Sequence, residues 1–306
     1  MKKLFNKIVK KIYKKFVYIL DKPIRRATKE IIVAEFIKSK ALESDRSIIV
    51  DSARNPKITV SLTTFGRRID SVFLTLESIA QQTLRPDRVV LWLAENEFDD
   101  SKLPITLQNF QRRGLTIKYC DDIKSYKKII PTLKEFPKDI IITIDDDWIY
   151  PFDLIENLYK TYIADPKTIC CYRAHLMTFK KSGEIKDYMD WKKLVNIKEP
   201  SMLIFPTSGG GALYFPNCFH QEILNKELFM KLAPSADDVW LKFMSYMNGV
   251  KCKTVEFNYN RAIPIDSKDI NPLFHYNIEH NDTQIRNVMN YFNIKFDNNY
   301  IKFDSK

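Results

Sequence analysis

Glycine is scarce in this 306-residue chain, with seven in all, and no stretch is rich in proline, glycine or serine. Flexible interdomain linkers are built from such stretches, and no internal repeat takes their place. The chain therefore reads as one sizeable domain with extensions. At 45% hydrophobic residues it can bury a full core. The five cysteines (Cys120, Cys170, Cys171, Cys218 and Cys252) are odd in number and lack metal-ligand spacing. With no secretory signal beside them, they read as reduced thiols of a cytosolic protein and argue against zinc. Only four histidines are present, at 175, 220, 275 and 280. Long apolar runs are missing too. Residues 16–20 are far too short to span a bilayer, and too short and too closely followed by charge for a signal peptide.

Acid is what the first forty residues lack. They hold eleven lysines and two arginines against three acids, so ten of the chain's eleven net positive charges lie there. A nucleic-acid-binding body would carry its basic stripe on the folded domain, so no nucleic-acid partner is expected. Leu4, Phe5, Ile8, Val9, Ile12, Tyr13, Phe16, Val17 and Leu20 recur at helical spacing, and Lys3, Lys7, Lys10, Lys11, Lys14 and Lys15 fill the other side. A lysine face opposite phenylalanine and leucine is what an interfacial helix on anionic lipid requires. A helix docked on the protein's own core, or a solvated basic tail, would show the same pattern. A second helical stretch over 24–40 connects this segment to the body.

From residue 57 to about 160, strand and helix patterns alternate. Strands are expected at 57–62, 88–93, 115–119 and 139–144, and helices at 69–82 and 126–136, the latter despite Pro131. Such alternation specifies an α/β fold, a mostly parallel sheet covered by helices. The half after 165 is less regular, with one clear helix over 237–248 ended by Gly249.

The strand at 139–144 runs straight into Asp145, Asp146 and Asp147. Its residues have no helical period and read as buried on both faces. In open α/β sheets, ligands sit at the carboxyl edge, where these acids stand. Three adjacent carboxylates repel one another, so the cluster calls for a neutralising cation. Oxygen ligands suit Mg²⁺ or Mn²⁺, which usually also hold substrate phosphates. A solvated acidic turn before a helix near Pro151 is the plainer alternative.

Five segments together carry a resemblance: VSLTTFGRR, LESIAQQTLRPDRVVLWL, IIITIDDDWIYP, SGGGALYF and APSADDVWL. In order and spacing they resemble a glycosyltransferase of the GT-A fold, closest to glycosyltransferase family 2, over residues 57 to 262. The resemblance implies a Rossmann-like domain over 55–265, preceded by the amphipathic helix and connector of 1–40 and followed by an extension, 266–306, packed on it. It makes the acid turn an Asp-x-Asp element: Asp145 faces the nucleotide's ribose, Asp147 binds Mn²⁺ or Mg²⁺, and Asp146 lies between them near the sugar. It places Thr63 and Thr64 at the base and ribose with Arg67 nearby, and Asp122 and Lys127, with Lys128, at base and phosphates. Gly210 and Gly211 would let backbone approach a donor or acceptor sugar. Asp238 would be the catalytic base, with Asp237 contacting the acceptor. Trp240, where many relatives keep another acid, departs from that pattern. His280 is a candidate third metal ligand, and Trp148 and Trp191 could stack on sugar rings.

Each of these residues also has a bland reading. Lys127 and Lys128 could be a solvated face, the glycines a hinge, and the Asp237 and Asp238 pair a helix N-terminus worth only about 0.3–1 kcal/mol. A lone histidine is commonly structural, and tryptophan commonly core. The expected activity is transfer from a nucleotide-sugar donor, by one base and with inversion. The expected acceptor is a glycan or membrane lipid-linked glycan of a bacterial surface polysaccharide or lipopolysaccharide, reached from the inner face of the cell membrane. Two other classes compete. A sugar nucleotidyltransferase would want a glycine- and basic-rich loop after the first strand, and TTFGRR has one glycine. A non-catalytic carbohydrate- or membrane-binding module would use the acid turn for a structural ion.

Overall fold

The computed structural model describes residues 2–255, 262–265 and 272–296, without side chains at 2–22, 102 and 272–279. Residues 256–261, at the end of the expected domain, and 266–271 and 297–306 of the expected extension lie outside the described residues. The chain divides into two compact units, 1–44 and 45–306. The first is a single helix, α1 (Lys2–Glu43), which runs through the expected anchor and connector without a break. Pro23 lies inside it, where its ring denies one hydrogen bond to the preceding turn. The pattern of lysines and apolar residues at 2–20 falls on side chains outside the described residues.

The second unit begins at Asp45, ahead of the expected start at 55. Ile48 and Val50 donate backbone hydrogen bonds to Arg113 and Pro86, which straps this segment onto the unit. The strands are β1 (Ile58–Thr63), β2 (Arg88–Ala94), β3 (Leu115–Cys120), β4 (Ile140–Thr143), β5 (Trp148–Ile149), β6 (Thr168–Cys171), β7 (Ala174–Leu176), β8 (Ile204–Pro206), β9 (Ala212–Tyr214), β10 (Lys251–Thr254) and β11 (Ile263–Pro264). The helices are α2 (Val72–Ala80), α3 (Ile105–Arg112), α4 (Ile130–Glu135), α5 (Leu154–Ala164), α6 (Lys226–Leu232), α7 (Asp237–Met247) and α8 (Pro272–Tyr291).

Seven strands form one sheet in the order β10-β6-β9-β4-β1-β2-β3. All pairs are parallel except those of β9, which runs antiparallel to both β4 and β6. The mostly parallel sheet flanked by helices is the expected fold class. Residues of β1 and β4 are buried almost throughout, as continuous β-branched runs covered on both faces must be. Register does the rest. Ser61 stands opposite Thr143, and Thr143 opposite Ala212. The carboxyl ends of β1 and β4 therefore meet the start of β9, where the glycine run ends.

Helix boundaries moved where proline and 3-10 turns intervene. The expected helix at 69–82 is a 3-10 turn, Gly66–Asp70, followed by α2. The one at 126–136 is a 3-10 turn, Lys124–Lys128, followed by α4. Pro131 sits in the first turn of α4, where no backbone hydrogen bond is lost. Helix α7 ends as expected, with Gly249 at φ 70°.

Candidate active site

The acid turn leaves β4 at the carboxyl edge, where Asp146 and Asp147 share Arg68 and Asp145 pairs with Lys128. Asp146 turns inward. Its two oxygens take Thr64 Oγ1 at 2.5 Å and Arg68 Nη1 at 2.9 Å, and its carbonyl takes Thr75 Oγ1 at 2.9 Å. The middle aspartate thus clamps the loop after β1 to the turn and does not face an open site. Asp147 Oδ2 lies 3.0 Å from the same Arg68 nitrogen. Its Oδ1 is buried with no hydrogen-bond partner among the described residues. Asp145 is one-third exposed, and Lys128 Nζ lies 2.9 Å from its Oδ1.

Lys128 also reaches Asp237 Oδ2, at 3.2 Å. One amine thereby joins the acid turn to the first turn of α7. Asp237 accepts Ser208 Oγ at 2.8 Å, and Asp238 accepts the Ser208 backbone N–H at 2.6 Å. Helix α7 is held in place from behind. Tyr126 donates its hydroxyl to the Ala233 carbonyl at 2.7 Å, and Trp240 Nε1 donates to the Ile223 carbonyl at 3.1 Å. Trp240 is a fully buried core residue. Tyr150 closes the other side, accepting the Asp145 N–H at 2.9 Å and donating its hydroxyl to the Gly209 carbonyl.

Charge follows from this geometry. Burial alone would lower the Lys128 amine, but Asp145, Asp237 and Asp238 outweigh it and hold it well above the usual lysine range. Burial would raise Asp145; Lys128 first, then Arg173 and Arg68, hold it below the usual carboxylate value. Asp147 is pushed up to about 6 by burial and then by Asp145 and Asp146, against Arg68. Asp238 is also raised to about 6, by burial and then by Asp237, with Lys128 opposing. A carboxylate that takes and releases a proton near neutral pH is suited to general-base work.

A divalent cation fits this cluster. Five carboxylates (Asp145, Asp146, Asp147, Asp237 and Asp238) face three cations (Arg68, Lys128 and Arg173), which leaves a surplus of two negative charges among the described residues. Asp147 keeps one oxygen without a partner among the described residues. Among the described residues, no group of three or more His, Cys, Asp or Glu side chains is disposed to hold a metal ion. A cation here would draw its remaining ligands from phosphate oxygens and water, as Mg²⁺ and Mn²⁺ commonly do. His280 lies half-buried within α8 and does not complete such a group.

The other expected residues fall into two sets. Thr64 joins the cluster, whereas Thr63 donates its hydroxyl to the Trp92 carbonyl at 2.8 Å in the neighbouring strand. Arg67 is exposed, and the adjacent Arg68 is the buried guanidinium at the acids. Lys127 is buried but pairs with Asp122 at 2.5 Å, while Lys128 turns to the site. The glycines at 209–211 are all buried. A Cβ on Gly210 would stand 2.5 Å from Arg173, and one on Gly211 2.9 Å from Leu154. The close approach that glycine permits here is to the protein's own side chains. Trp191 is core, packed edge-on to Phe205 at 5.2 Å, and Trp148 is partly exposed beside the acid turn. Arg68, Tyr150, Arg173 and Ser208 escaped sequence reasoning. Only the Arg67-Arg68 pair carried a signal, since a doubled arginine in a strand-end loop invites a charge partner.

The sequence matches no protein-family model and no curated protein sequence. Its structure is similar to that of the mannosyltransferase PcManGT from Pyrobaculum calidifontis in complex with GDP-Man and Mn²⁺. That likeness has 16% identity, covers 89% of this chain and 75% of that one, and has a TM-score of 0.49. It is also similar to S. aureus TarS 1-349 in complex with UDP, at 12% identity over 66% of this chain and 58% of that one, TM-score 0.44. A second TarS 1-349 structure gives 14% identity over the same shares, TM-score 0.45. At such identities, the activity of this chain has to be argued from its own residues.

Proposed function

We propose that the protein is a nucleotide-sugar-dependent, metal-dependent glycosyltransferase that acts with inversion. The observation that carries this reading is Lys128. Its amine, 2.9 Å from Asp145 and 3.2 Å from Asp237, ties a phosphate-and-cation element to Asp237, and Ser208, which donates to both Asp237 and Asp238, carries that cluster on to the candidate base Asp238. A structural ion site would have no need of the second half of that cluster.

Asp147 and Asp145, with water and the donor's phosphates, would hold Mn²⁺ or Mg²⁺, which when bound offsets the charge of the departing nucleoside diphosphate. Thr64 and the strand-end loop would line the nucleotide, with Thr63, Arg67, Asp122 and Lys127 at its outer rim. Lys128 supplies a fixed positive charge beside the phosphates. Asp238, oriented through Ser208, takes the proton of the acceptor hydroxyl. The freed oxygen attacks the anomeric carbon opposite the diphosphate, and the bond to the diphosphate breaks. A single base and in-line displacement invert the anomeric centre.

The acceptor proposed is a glycan or lipid-linked glycan of the kind built into bacterial surface polysaccharide or lipopolysaccharide. Support comes from α1, whose basic and apolar sequence suits an anionic membrane surface on the cytoplasmic side. Among the described residues, no helix is long and apolar enough to cross a membrane.

Incubation with a panel of labelled nucleotide-sugars, with and without Mn²⁺, tests the reading through slow donor hydrolysis and nucleoside diphosphate release. Turnover unchanged in excess EDTA would remove the metal from it. Pyrophosphate release would make the protein a nucleotidyltransferase.

A further inference from the structure

Arg68 stands where any cation held by the acid turn must contend with it. One nitrogen, Nη1, lies 2.9 Å from Asp146 Oδ1 and 3.0 Å from Asp147 Oδ2. The guanidinium lies over the Phe65 ring, 5.0 Å from its centroid. Its side chain is only 8% exposed, so salt and water screen it little. Thr64 takes the other oxygen of Asp146, which fixes the carboxylate that fixes the arginine.

Resting on the glycosyltransferase reading and its metal at the acid turn, we propose that Arg68 is a built-in counter-cation that competes with the metal for Asp147. It holds Asp146 and Asp147 together in the metal-free protein and keeps metal affinity low until a nucleoside diphosphate arrives. The charges explain the order. With Arg68, Lys128 and Arg173 in place, five carboxylates leave a surplus of two negative charges, enough for one divalent ion with little to spare. A diphosphate adds negative charge at the same place and shifts the balance toward the metal. Metal loading is therefore coupled to donor binding, and by linkage each tightens the other equally. A residue that merely oriented Asp147 for the metal would act in the opposite sense, since its loss would weaken metal binding.

Calorimetric titration of Mn²⁺ into the full chain separates the two. It is run on wild type, Arg68→Gln and Arg68→Lys, alone and with UDP or GDP. Arg68→Gln should bind Mn²⁺ alone on the order of tenfold more tightly, the effect of one nearby charge in a poorly screened site. The nucleotide should then add less to Mn²⁺ affinity than it does in wild type, and Arg68→Lys should stay near wild type. Mn²⁺ affinity equal to or below wild type in Arg68→Gln overturns the proposal and leaves the metal reading standing. If neither protein binds Mn²⁺, with or without nucleotide, the metal reading fails and takes the proposal with it. Should Arg68→Gln not fold, the Arg68 Nε–H resonance of wild type decides. It should shift when Mg²⁺ and the nucleotide are added together, and an unmoved resonance overturns the proposal.

Discussion

Gly209 and Asp145 share one space: a Cβ on the glycine would stand 1.6 Å from Asp145 Oδ2. The Asp145 N–H also donates to the Gly209 carbonyl at 3.3 Å, so the carboxylate lies folded over the glycine backbone. Gly209→Ala should therefore expel the carboxylate, break its pair with Lys128 and cost about 1–3 kcal/mol, as overpacking does. Urea denaturation measures the stability loss and calorimetry the loss of donor affinity. Wild-type values in both would mean that the loop moves aside freely.

Asp147 gives a stability test whose sign depends on pH. Its carboxyl is raised to about 6 by burial and by Asp145 and Asp146, well above an unfolded value near 3.9. A raised carboxyl contributes stability that is full below the unfolded value and is lost as pH rises through about 6. In EDTA, Asp147→Asn should therefore melt higher than wild type at pH 8. The gap should close as the pH falls toward 4. A variant less stable at pH 8 would show that the charge pair with Arg68 outweighs repulsion among the aspartates.

Asp238 should set the acid limb of activity. Raised to about 6, it is charged only above that pH, so kcat should climb through about 6 and level off. Asp238→Asn keeps the Ser208 hydrogen bond but cannot take a proton. Transfer should fall by about two orders of magnitude or more while donor affinity holds. Affinity falling in step with rate would move Asp238 from catalysis to binding.

How much of this was legible follows from the range over which each signal acts. The strand run before Asp145 and the alternation that specifies the sheet are local patterns, and both appear in the structure as read. The doubled residues were half-legible. In a 3-10 turn, neighbours point about 120° apart, so Arg67 and Arg68 cannot share one partner direction, nor can Lys127 and Lys128. Composition cannot choose between them, and the structure turns Arg68 and Lys128 to the acids. Tyr150, Arg173 and Ser208 were invisible because their roles depend on β9 running antiparallel between β4 and β6. A three-residue strand next to three glycines gives no periodic signal, and 209–214 reads as loop.

Lys242 offers a test away from the site. It is 1% exposed within α7, and its amine has one close polar neighbour among the described residues, Cys252 Sγ at 3.9 Å. Burial lowers its pKa, only weakly opposed by Cys252 and Cys171. A depressed amine contributes stability that is full above the unfolded value near 10.4 and is lost as pH falls toward the folded one. At pH 7, Lys242→Met should therefore raise Tm, since similar volume is kept and the costly amine removed. A lower Tm would show that the amine is solvated or paired inside the core.

The basic helix is the last and most separable element. Its apolar residues should supply binding that salt does not weaken, and each lysine near an anionic leaflet adds about 1 kcal/mol. The residues of the candidate site all lie in the unit that begins at Asp45. Deleting residues 1–20 should therefore release the protein from acidic vesicles and leave donor hydrolysis intact. Transfer to a lipid-linked acceptor should drop, because the enzyme no longer concentrates on the surface that carries it. Salt should weaken binding of the intact chain only in part. Serine at Phe5, Ile8, Ile12 and Phe16 should weaken it at any salt, since burial of those side chains is the unscreened term. Vesicle co-sedimentation reads both effects. A truncated chain that pellets as well as the full one would make α1 a structural helix and end the membrane reading.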